Sequence, residues 1–278
     1  MTTLRFDNRD IEVGEPFKRG DFCTLQHGTL VIPAKKTDGG DFFDQLLGGS
    51  DEECLPCLIK VSLSPHDASF MAAERDALSR IESPNQKYFP TLYAHAHTKD
   101  VATHILSYNP NTQTLEDMLA AHPKGLSFRQ VAKVFQQVLV GLGHAHRLGL
   151  VHGAILPSHI VVSTDTGGVQ IVDWCYSVRY MEKTSIRAYV KAYREFYPPE
   201  VFAKRFPTPA TDIYMAAKVG VALLGGNAWK GEATSFRDLF GMCLSETMRD
   251  RYQSAFTLLA EFDRLCLNQW GTDWQDPR

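Results

Sequence analysis

The chain has 278 residues, of which 44% are hydrophobic and 22% charged, a composition typical of a globular protein with a sizeable core. A formal net charge of -3 and a pI near 6.4 exclude a global basic field, so we expect neither nucleic acid nor a membrane surface as a partner. No apolar run reaches the roughly 20 residues that cross a bilayer, and the N-terminus does not resemble a signal peptide. The six cysteines are scattered, which favours a cytoplasmic protein without a disulfide framework.

The N-terminal part of the chain alternates short strand patterns with loops. Residues 10–14, 22–25 and 29–32 predict strands, and Gly20 lies between the first two. Residues 37–56 are rich in glycine and acidic residues around an apolar patch at residues 42–47, which predicts a surface insertion. Cys54 and Cys57 form a C-x-x-C, but no second Cys or His pair stands at zinc spacing, so we predict neither metal nor redox chemistry there.

Residues 57–61 form an apolar strand pattern that carries Lys60. A buried ammonium needs a negative partner, because an isolated buried charge is very costly. A helix is predicted to start directly afterwards, with Ser64 as its N-cap and Pro65 at its first position. Glu74 lies on this helix, fourteen residues after Lys60.

The next stretch predicts two more strands and then helices. Residues 89–94 and 101–108 have strand patterns, and Asn109-Pro110-Asn111 breaks them. Residues 115–121 predict a short helix, and Ser127 with Gln130 predicts a capping box at the start of a long one that ends at Gly149. The pairs His95/His97 and His144/His146 have no evident carboxylate or thiol partner, so we predict no metal site at them.

The centre of the chain has the most informative pattern. His152 closes a short apolar strand, a loop with a proline follows, and a second strand and a turn lead into a strand that ends at Asp173. Further on come Tyr197-Pro198-Pro199-Glu200, a helix nearly apolar all round that begins near Asp212, and Arg251-Tyr252-Gln253-Ser254-Ala255.

Taken in this order, residues 10–268 resemble a protein kinase domain, and the run at Arg251 is similar to that of bacterial Ser/Thr kinases of eukaryotic type. The resemblance implies an α+β, two-lobed fold. Residues 1–107 would form a lobe with an antiparallel sheet and one regulatory helix, and residues 108–278 a mostly helical lobe. It also implies that Asp212 holds the central loop and that Glu200 pairs with Arg251.

The resemblance further implies an ATP site with Mg²⁺, in which Lys60 pairs with Glu74 and Asp173 binds the metal. Its nucleotide-binding positions are Gly20, Leu25, Leu58, Lys60, Glu74, Leu106, Tyr108, Val161 and Asp173. Lys18 and Cys23 replace the other two glycines of the glycine-rich loop.

The catalytic positions themselves are degenerate. In the H-R-D-L-x-x-x-N frame of protein kinases, His152 is kept, but Gly153 replaces Arg, Ala154 the catalytic Asp and His159 the metal-binding Asn. Leu156 removes the catalytic-loop Lys. Because a positioned base contributes about 10²–10⁴-fold, we predict a pseudokinase with little or no phosphotransfer and a protein partner.

Other interpretations stay open. His152-Gly153 and Asp173-Trp174 resemble small-molecule kinases of the aminoglycoside and choline type, whereas Glu200, Asp212 and Arg251 favour the protein kinases. An active atypical kinase, or another ATP-dependent transferase that uses Lys60 and Asp173, is one alternative. A scaffold that binds no nucleotide is another.

Overall fold

The structure, a computed structural model, describes residues 2–6, 9–32, 53–81, 85–226 and 234–275. The predicted apolar patch at residues 42–47 lies outside the described residues. The described residues form two compact units, one within 1–71 and 91–110 and the other within 72–90 and 111–278. The lobe boundary between residues 107 and 108 stays a prediction. Within the described ranges, no helix combines the length and apolar character that crossing a membrane requires.

The first unit contains an antiparallel sheet, as predicted. In the described part of the chain it has six strands in the order β1-β2-β3-β4-β6-β5. The strands are β1 (Thr2–Phe6), β2 (Arg9–Arg19), β3 (Cys23–Ile32), β4 (Glu53–Ser62), β5 (Leu92–His97) and β6 (Ala102–Ser107). One face of the sheet covers a buried apolar core formed by Ile11, Leu30, Cys57, Ile59 and Ile105.

Two strands differ from their predictions. The separate strands predicted at 22–25 and 29–32 are one strand, β3, because residues 23–32 pair without a break with β4. Gly28 in its middle is closely packed, since an added Cβ would lie 2.8 Å from Ile59 Cδ1. The end of the predicted insertion, residues 53–56, belongs to β4. There β4 pairs with β3 alone among the described strands, since its pairing with β6 begins at Cys57. Pro56 therefore interrupts no ladder with β6.

The predicted regulatory helix is α1 (Pro65–Arg80), which begins in the first unit and continues into the second. Its N-cap is confirmed, because the Asp67 amide donates to Ser64 Oγ over 3.2 Å. In the first unit, the Phe70 ring stacks on Phe22 with centroids 3.9 Å apart.

The second unit is mostly helical. Its helices are α2 (Leu115–Ala121), α3 (Phe128–Arg147), α4 (Pro199–Phe202), α5 (Pro209–Leu223), α6 (Thr234–Cys243) and α7 (Ala255–Trp270). The predicted capping box is present at α3, where Ser127 and Gln130 bond reciprocally. Helix α5 is buried on nearly all sides, as its continuous apolar pattern predicts. The predicted α+β, kinase-like fold class is confirmed.

Short strands complete the second unit and frame the central loop. They are β7 (Thr112–Thr114), β8 (Leu150–Val151), β9 (Ile160–Ser163), β10 (Val169–Ile171) and β11 (Val178–Arg179). Among the described residues, β10-β9-β7 form one antiparallel sheet and β11-β8 a two-stranded ladder. The loop between β8 and β9 and the segment after β10 carry the candidate site.

Candidate functional site

A buried aspartate fixes the loop that follows β8. Asp212, in the first turn of α5, accepts hydrogen bonds from the backbone amides of His152 (2.8 Å) and Gly153 (2.9 Å). Its Oδ2 also lies 2.9 Å from His146 Nε2. The carboxylate is fully buried, and these three donors compensate its lost hydration. The predicted role of Asp212 is confirmed, whereas no sequence pattern indicated that His146 takes part.

His152 joins this loop to the end of β10. Its Nε2 lies 3.0 Å from the Val172 carbonyl, and its Nδ1 accepts from the Ala154 amide at 3.2 Å. The ring is therefore neutral with the proton on Nε2, since a carbonyl can only accept. Burial lowers the pKa of His152 to about 4, although the nearby Asp212 acts in the opposite direction.

Gly153 has a backbone conformation that disfavours any side chain. Its φ is +77°, and a Cβ would lie 2.9 Å from the Tyr176 carbonyl oxygen and 3.2 Å from the Ile186 side chain. The arginine that the resemblance places here would meet both strain and crowding. Since position 153 is a glycine, no arginine at this position can bind a phosphorylated residue.

The position of the catalytic base holds only a methyl group. Ala154 and Leu156 are both fully buried, so neither presents a polar group to a substrate. The Ala154 carbonyl faces His159 Nδ1 at 2.9 Å. At position 154 the loop therefore offers no acid–base group.

The His159 ring contacts the Asp173 carboxylate. His159 Nε2 lies 3.2 Å from Asp173 Oδ2, and the ring stacks on Tyr176 with centroids 5.6 Å apart. Asp173 follows β10 in the left-handed region, with φ 62° and ψ 62°, and its side chain is 31% exposed. His159 was predicted as a poor substitute for the metal-binding Asn, and its contact with Asp173 was not predicted.

Two further polar side chains lie near Asp173. A carboxylate oxygen of Glu74, a carboxylate oxygen of Asp173 and the Cys175 Sγ all lie within 4.8 Å of one another. Glu74 is fully buried and Cys175 nearly so. Cys175 occupies the place of the glycine in D-F-G, and its presence beside the two carboxylates was not predicted.

The remaining nucleotide positions lie mostly in the first unit. Lys60 on β4 stands directly opposite Leu25 on β3, and Leu58 stands opposite Leu106 on β6. These four side chains share one face of the sheet, opposite the core, because side chains two residues apart on a strand point the same way. Gly20 lies in the turn before β3, and Tyr108 follows β6.

Lys60 is only 3% exposed, as a lysine with a buried partner should be. In the second unit, Val161 lies on β9, and Glu74 and Asp173 are near each other. The Lys60–Glu74 pair and the joining of both sets into one nucleotide site stay predictions.

The predicted ion pair between Glu200 and Arg251 is confirmed. Arg251 donates from Nη1 to Glu200 Oε1 (2.7 Å) and from Nη2 to Oε2 (3.0 Å). Thr211 also donates to Glu200 Oε1, over 3.1 Å. Both charged residues are buried, and the bidentate geometry links α4 to the segment before α7.

The two cysteines of the C-x-x-C motif lie in different environments. Cys54 is exposed whereas Cys57 is fully buried, and burial raises the pKa of the Cys57 thiol to about 11. A thiol with a raised pKa is a poor nucleophile and a poor ligand.

The chain has the architecture of protein kinases. An antiparallel sheet is followed by a mostly helical unit, a buried aspartate fixes a central loop, and a Glu–Arg pair lies near the end. The model of the protein kinase domain matches residues 57–259, and the chain belongs to this family. It is 27% identical over 169 residues to the serine/threonine-protein kinase drp72 of Corynebacterium efficiens, which covers 58% of this chain and 31% of that protein. It is 30% identical over 86 residues to sperm motility kinase Z of Mus musculus, covering 31% of this chain and 17% of that protein. The matched segments therefore span less than a third of either relative's own length.

Proposed function

We propose that the chain is a pseudokinase: a protein-kinase-fold module that binds ATP, transfers phosphate weakly or not at all, and regulates a protein partner in the cytoplasm. The observation that carries this proposal is the buried methyl group of Ala154 at the position of the catalytic base.

Phosphoryl transfer depends on holding the phosphates, neutralising their charge and orienting the attacking hydroxyl. Ala154 cannot accept a proton from a hydroxyl, a role usually worth about 10²–10⁴-fold in rate. Leu156 cannot neutralise the transferring phosphate. Because these losses fall on one reaction, they combine, and we expect turnover to be very slow or absent.

The proposed ATP site combines the retained residues. The Lys60 ammonium would meet the phosphates, with Glu74 as its partner, and the backbone beside Tyr108 would meet the adenine. Leu25, Leu58 and Leu106 share the sheet face on which an adenine would rest. Leu58 stands where the family has a small Ala, so the pocket is narrower. Val161 would form its floor.

A second candidate is an active atypical kinase or another ATP-dependent transferase that uses Lys60 and Asp173. It is favoured by Asp173, whose left-handed backbone presents a partly exposed carboxylate. Such chemistry would have to proceed without a carboxylate at position 154.

One experiment separates these functions. Thermal unfolding is measured with and without ATP, beside transfer assays with ATP labelled at the γ- or the α-phosphate. Stabilisation by ATP without transfer of either label is expected. Transfer of a label that Asp173→Ala abolishes would establish the enzyme instead. Absence of any response to nucleotide would favour a scaffold.

A further inference from the structure

Most of the loop between β8 and β9 is buried. Of residues 151–160, all of which the structure describes, only Ser158 is partly exposed. The methyl group of Ala154 has no exposed surface. A protein substrate that is to reach position 154 must therefore meet the loop beside Ser158, where α2 packs against residues 157–159. Access to the loop thus depends on what covers Ser158.

The segment after β11 contacts this loop at two points. Near the start of the loop, an added Cβ at Gly153 would lie 3.2 Å from the side chain of Ile186, which is itself buried. Near the end of the loop, the hydroxyl groups of Tyr193 and Ser158 are hydrogen-bonded. The Tyr193 hydroxyl also donates to Oε1 of Glu116, in the first turn of α2. Tyr193 therefore joins the segment both to the loop and to α2, within the second unit.

The surroundings of Tyr193 favour this bridge. Burial raises the pKa of Tyr193, and the neighbouring Glu116 carboxylate acts in the same direction. The hydroxyl therefore keeps its proton and donates to a charged acceptor, which gives a stronger hydrogen bond than a neutral acceptor does. The Tyr193 ring is half-buried and packs edge-on against Phe196, with centroids 5.6 Å apart.

Other contacts tie the same segment to α4. The Val190 amide donates to the Tyr197 hydroxyl over 3.1 Å. Arg194 donates to the Tyr189 hydroxyl over 3.1 Å, and its guanidinium lies 4.2 Å from the centroid of the Phe202 ring, at the end of α4. The segment would therefore stay attached to α4 if its bridge to the loop opened.

We infer that residues 186–197 form an autoinhibitory strap, which the bridge from Tyr193 to Ser158 and Glu116 keeps closed over the loop between β8 and β9. The closed strap excludes a protein substrate from the loop, whichever residue stands at position 154. Opening the strap uncovers Ser158 and the first turn of α2 together. This inference goes beyond the proposed function and does not depend on it, because none of these contacts involves the proposed nucleotide site.

The first measurement follows access to the loop. Ser158→Cys places a thiol at the covered position, in a Cys54→Ser background that lacks the exposed cysteine. Its reaction rate with iodoacetamide is read by mass spectrometry. We expect Tyr193→Ala to raise this rate about tenfold or more, since the variant removes both the ring and its bond to a charged group. Lys99→Cys, at an exposed position, is the matched reporter and should react equally fast with and without Tyr193→Ala. A rise of less than tenfold at position 158 would overturn the inference.

The second measurement follows opening of the strap with the loop unaltered. Lys191 and Arg194 are exposed trypsin sites within the strap, and cleavage of a folded chain depends on local opening. Tyr193→Phe removes only the hydroxyl and should speed cleavage at these sites about threefold or more. Tyr88→Phe, at a half-buried tyrosine outside the strap, is the matched control and should be cleaved as the wild type.

A smaller increase in Tyr193→Phe, or an equal increase in Tyr88→Phe, would refute the strap. If Tyr193→Ala does not fold, the comparison of the two Phe variants decides alone. Both measurements are made without nucleotide. A failure of ATP to bind would therefore refute the proposed function and leave the inference about the strap to these two results.

Discussion

Two histidines of the same loop differ in the groups that their ring nitrogens face. The ring centroids of His152 and His159 lie 6.2 Å apart. His152 donates to one carbonyl and accepts from one amide, which a neutral ring satisfies. His159 faces a carbonyl at Nδ1 and a carboxylate at Nε2. Residue identity alone could not distinguish them, since the difference lies in which atoms the fold places opposite each nitrogen.

His152 should make stability depend on pH in a defined window. Its pKa is about 4 in the folded chain and near the ordinary 6.5 when unfolded. Between these values the unfolded chain binds a proton that the folded chain does not, so stability falls as the pH is lowered through the window and levels off below it. His152→Asn should reduce the loss of unfolding free energy between pH 7 and pH 4.5 by about 2–3 kcal/mol. Urea denaturation at both pH values measures it.

The control for this prediction is His97→Asn, which removes an exposed imidazole. It should leave the pH dependence of the wild type unchanged. An equally steep loss of stability in His152→Asn and in the wild type would show that other groups cause it.

Two glycines with the same backbone conformation allow strain and crowding to be separated. Gly149 and Gly153 have φ of +79° and +77°, but an added Cβ would meet other atoms within 4 Å only at Gly153, whereas at Gly149 it would point into open space. Gly149→Ala should cost only the left-handed conformation, about 1–2 kcal/mol. Gly153→Ala should cost at least about 1 kcal/mol more, because the Tyr176 carbonyl or the loop must move. Chemical denaturation measures both, and equal losses would contradict the crowding at Gly153.

At the scale of elements, the buried pair of Glu200 and Arg251 holds α4 against the segment before α7. Removing one partner leaves a buried charge without compensation. We therefore expect Arg251→Met to lower the unfolding free energy by about 3–5 kcal/mol. Glu200→Gln should also be destabilising, since Thr211 and Arg251 both donate to this carboxylate.

The double variant Glu200→Gln/Arg251→Met completes the cycle. The double variant should lose less unfolding free energy than the two single variants together. Each single substitution leaves one buried charge without its partner, and the double variant contains neither charge. Urea denaturation of the four proteins gives the coupling free energy. Strictly additive losses would mean that the pair contributes little beyond its separate contacts.

The elements that the sequence predicts well are those whose ends carry a local signal. Ser127 and Gln130 fix the start of α3, and Ser64 that of α1, within a few residues of chain. The merging of two predicted strands into β3 could not be foreseen, because the close approach of Ile59 to Gly28 comes from a strand far along the chain. A glycine in the sequence can indicate either a turn or a closely packed strand, and the sequence alone does not separate the two.

In the candidate site, too, some contacts were predicted from the sequence and others were not. The positions of Asp212, Glu200 and Arg251 followed from the order of motifs, and their contacts are confirmed. The contact between His159, just before β9, and Asp173, just after β10, depends on the directions of the two side chains. The spacing of residues in the sequence does not predict these directions. The order of motifs therefore predicted the contacts that hold the fold better than the contact between these two side chains.

At the scale of the whole molecule, the chain retains buried interactions that hold a kinase fold. Asp212, Glu200 and Arg251 are buried and fully bonded, so losing any of them would cost stability. Ala154 places an uncharged methyl group at a buried position, so no charge there needs a partner. The proposed function, which is based on binding, needs a stable fold but no acid–base group at position 154.

Binding of ATP by the whole chain should depend on Lys60. Lys60→Met keeps the apolar stem and removes the ammonium, so the sheet should remain intact while the phosphates lose their positive partner. We expect ATP affinity to fall by about tenfold or more, since hydrogen bonds to charged groups contribute about 1.5–3 kcal/mol. At an ATP concentration 100 times the wild-type Kd, stabilisation should drop from about 2.7 to about 1.4 kcal/mol. Lys99→Met, at an exposed turn position, should keep the full stabilisation. An undiminished response to ATP in Lys60→Met, with circular dichroism unchanged, would place the nucleotide elsewhere than on the Lys60 face of the sheet.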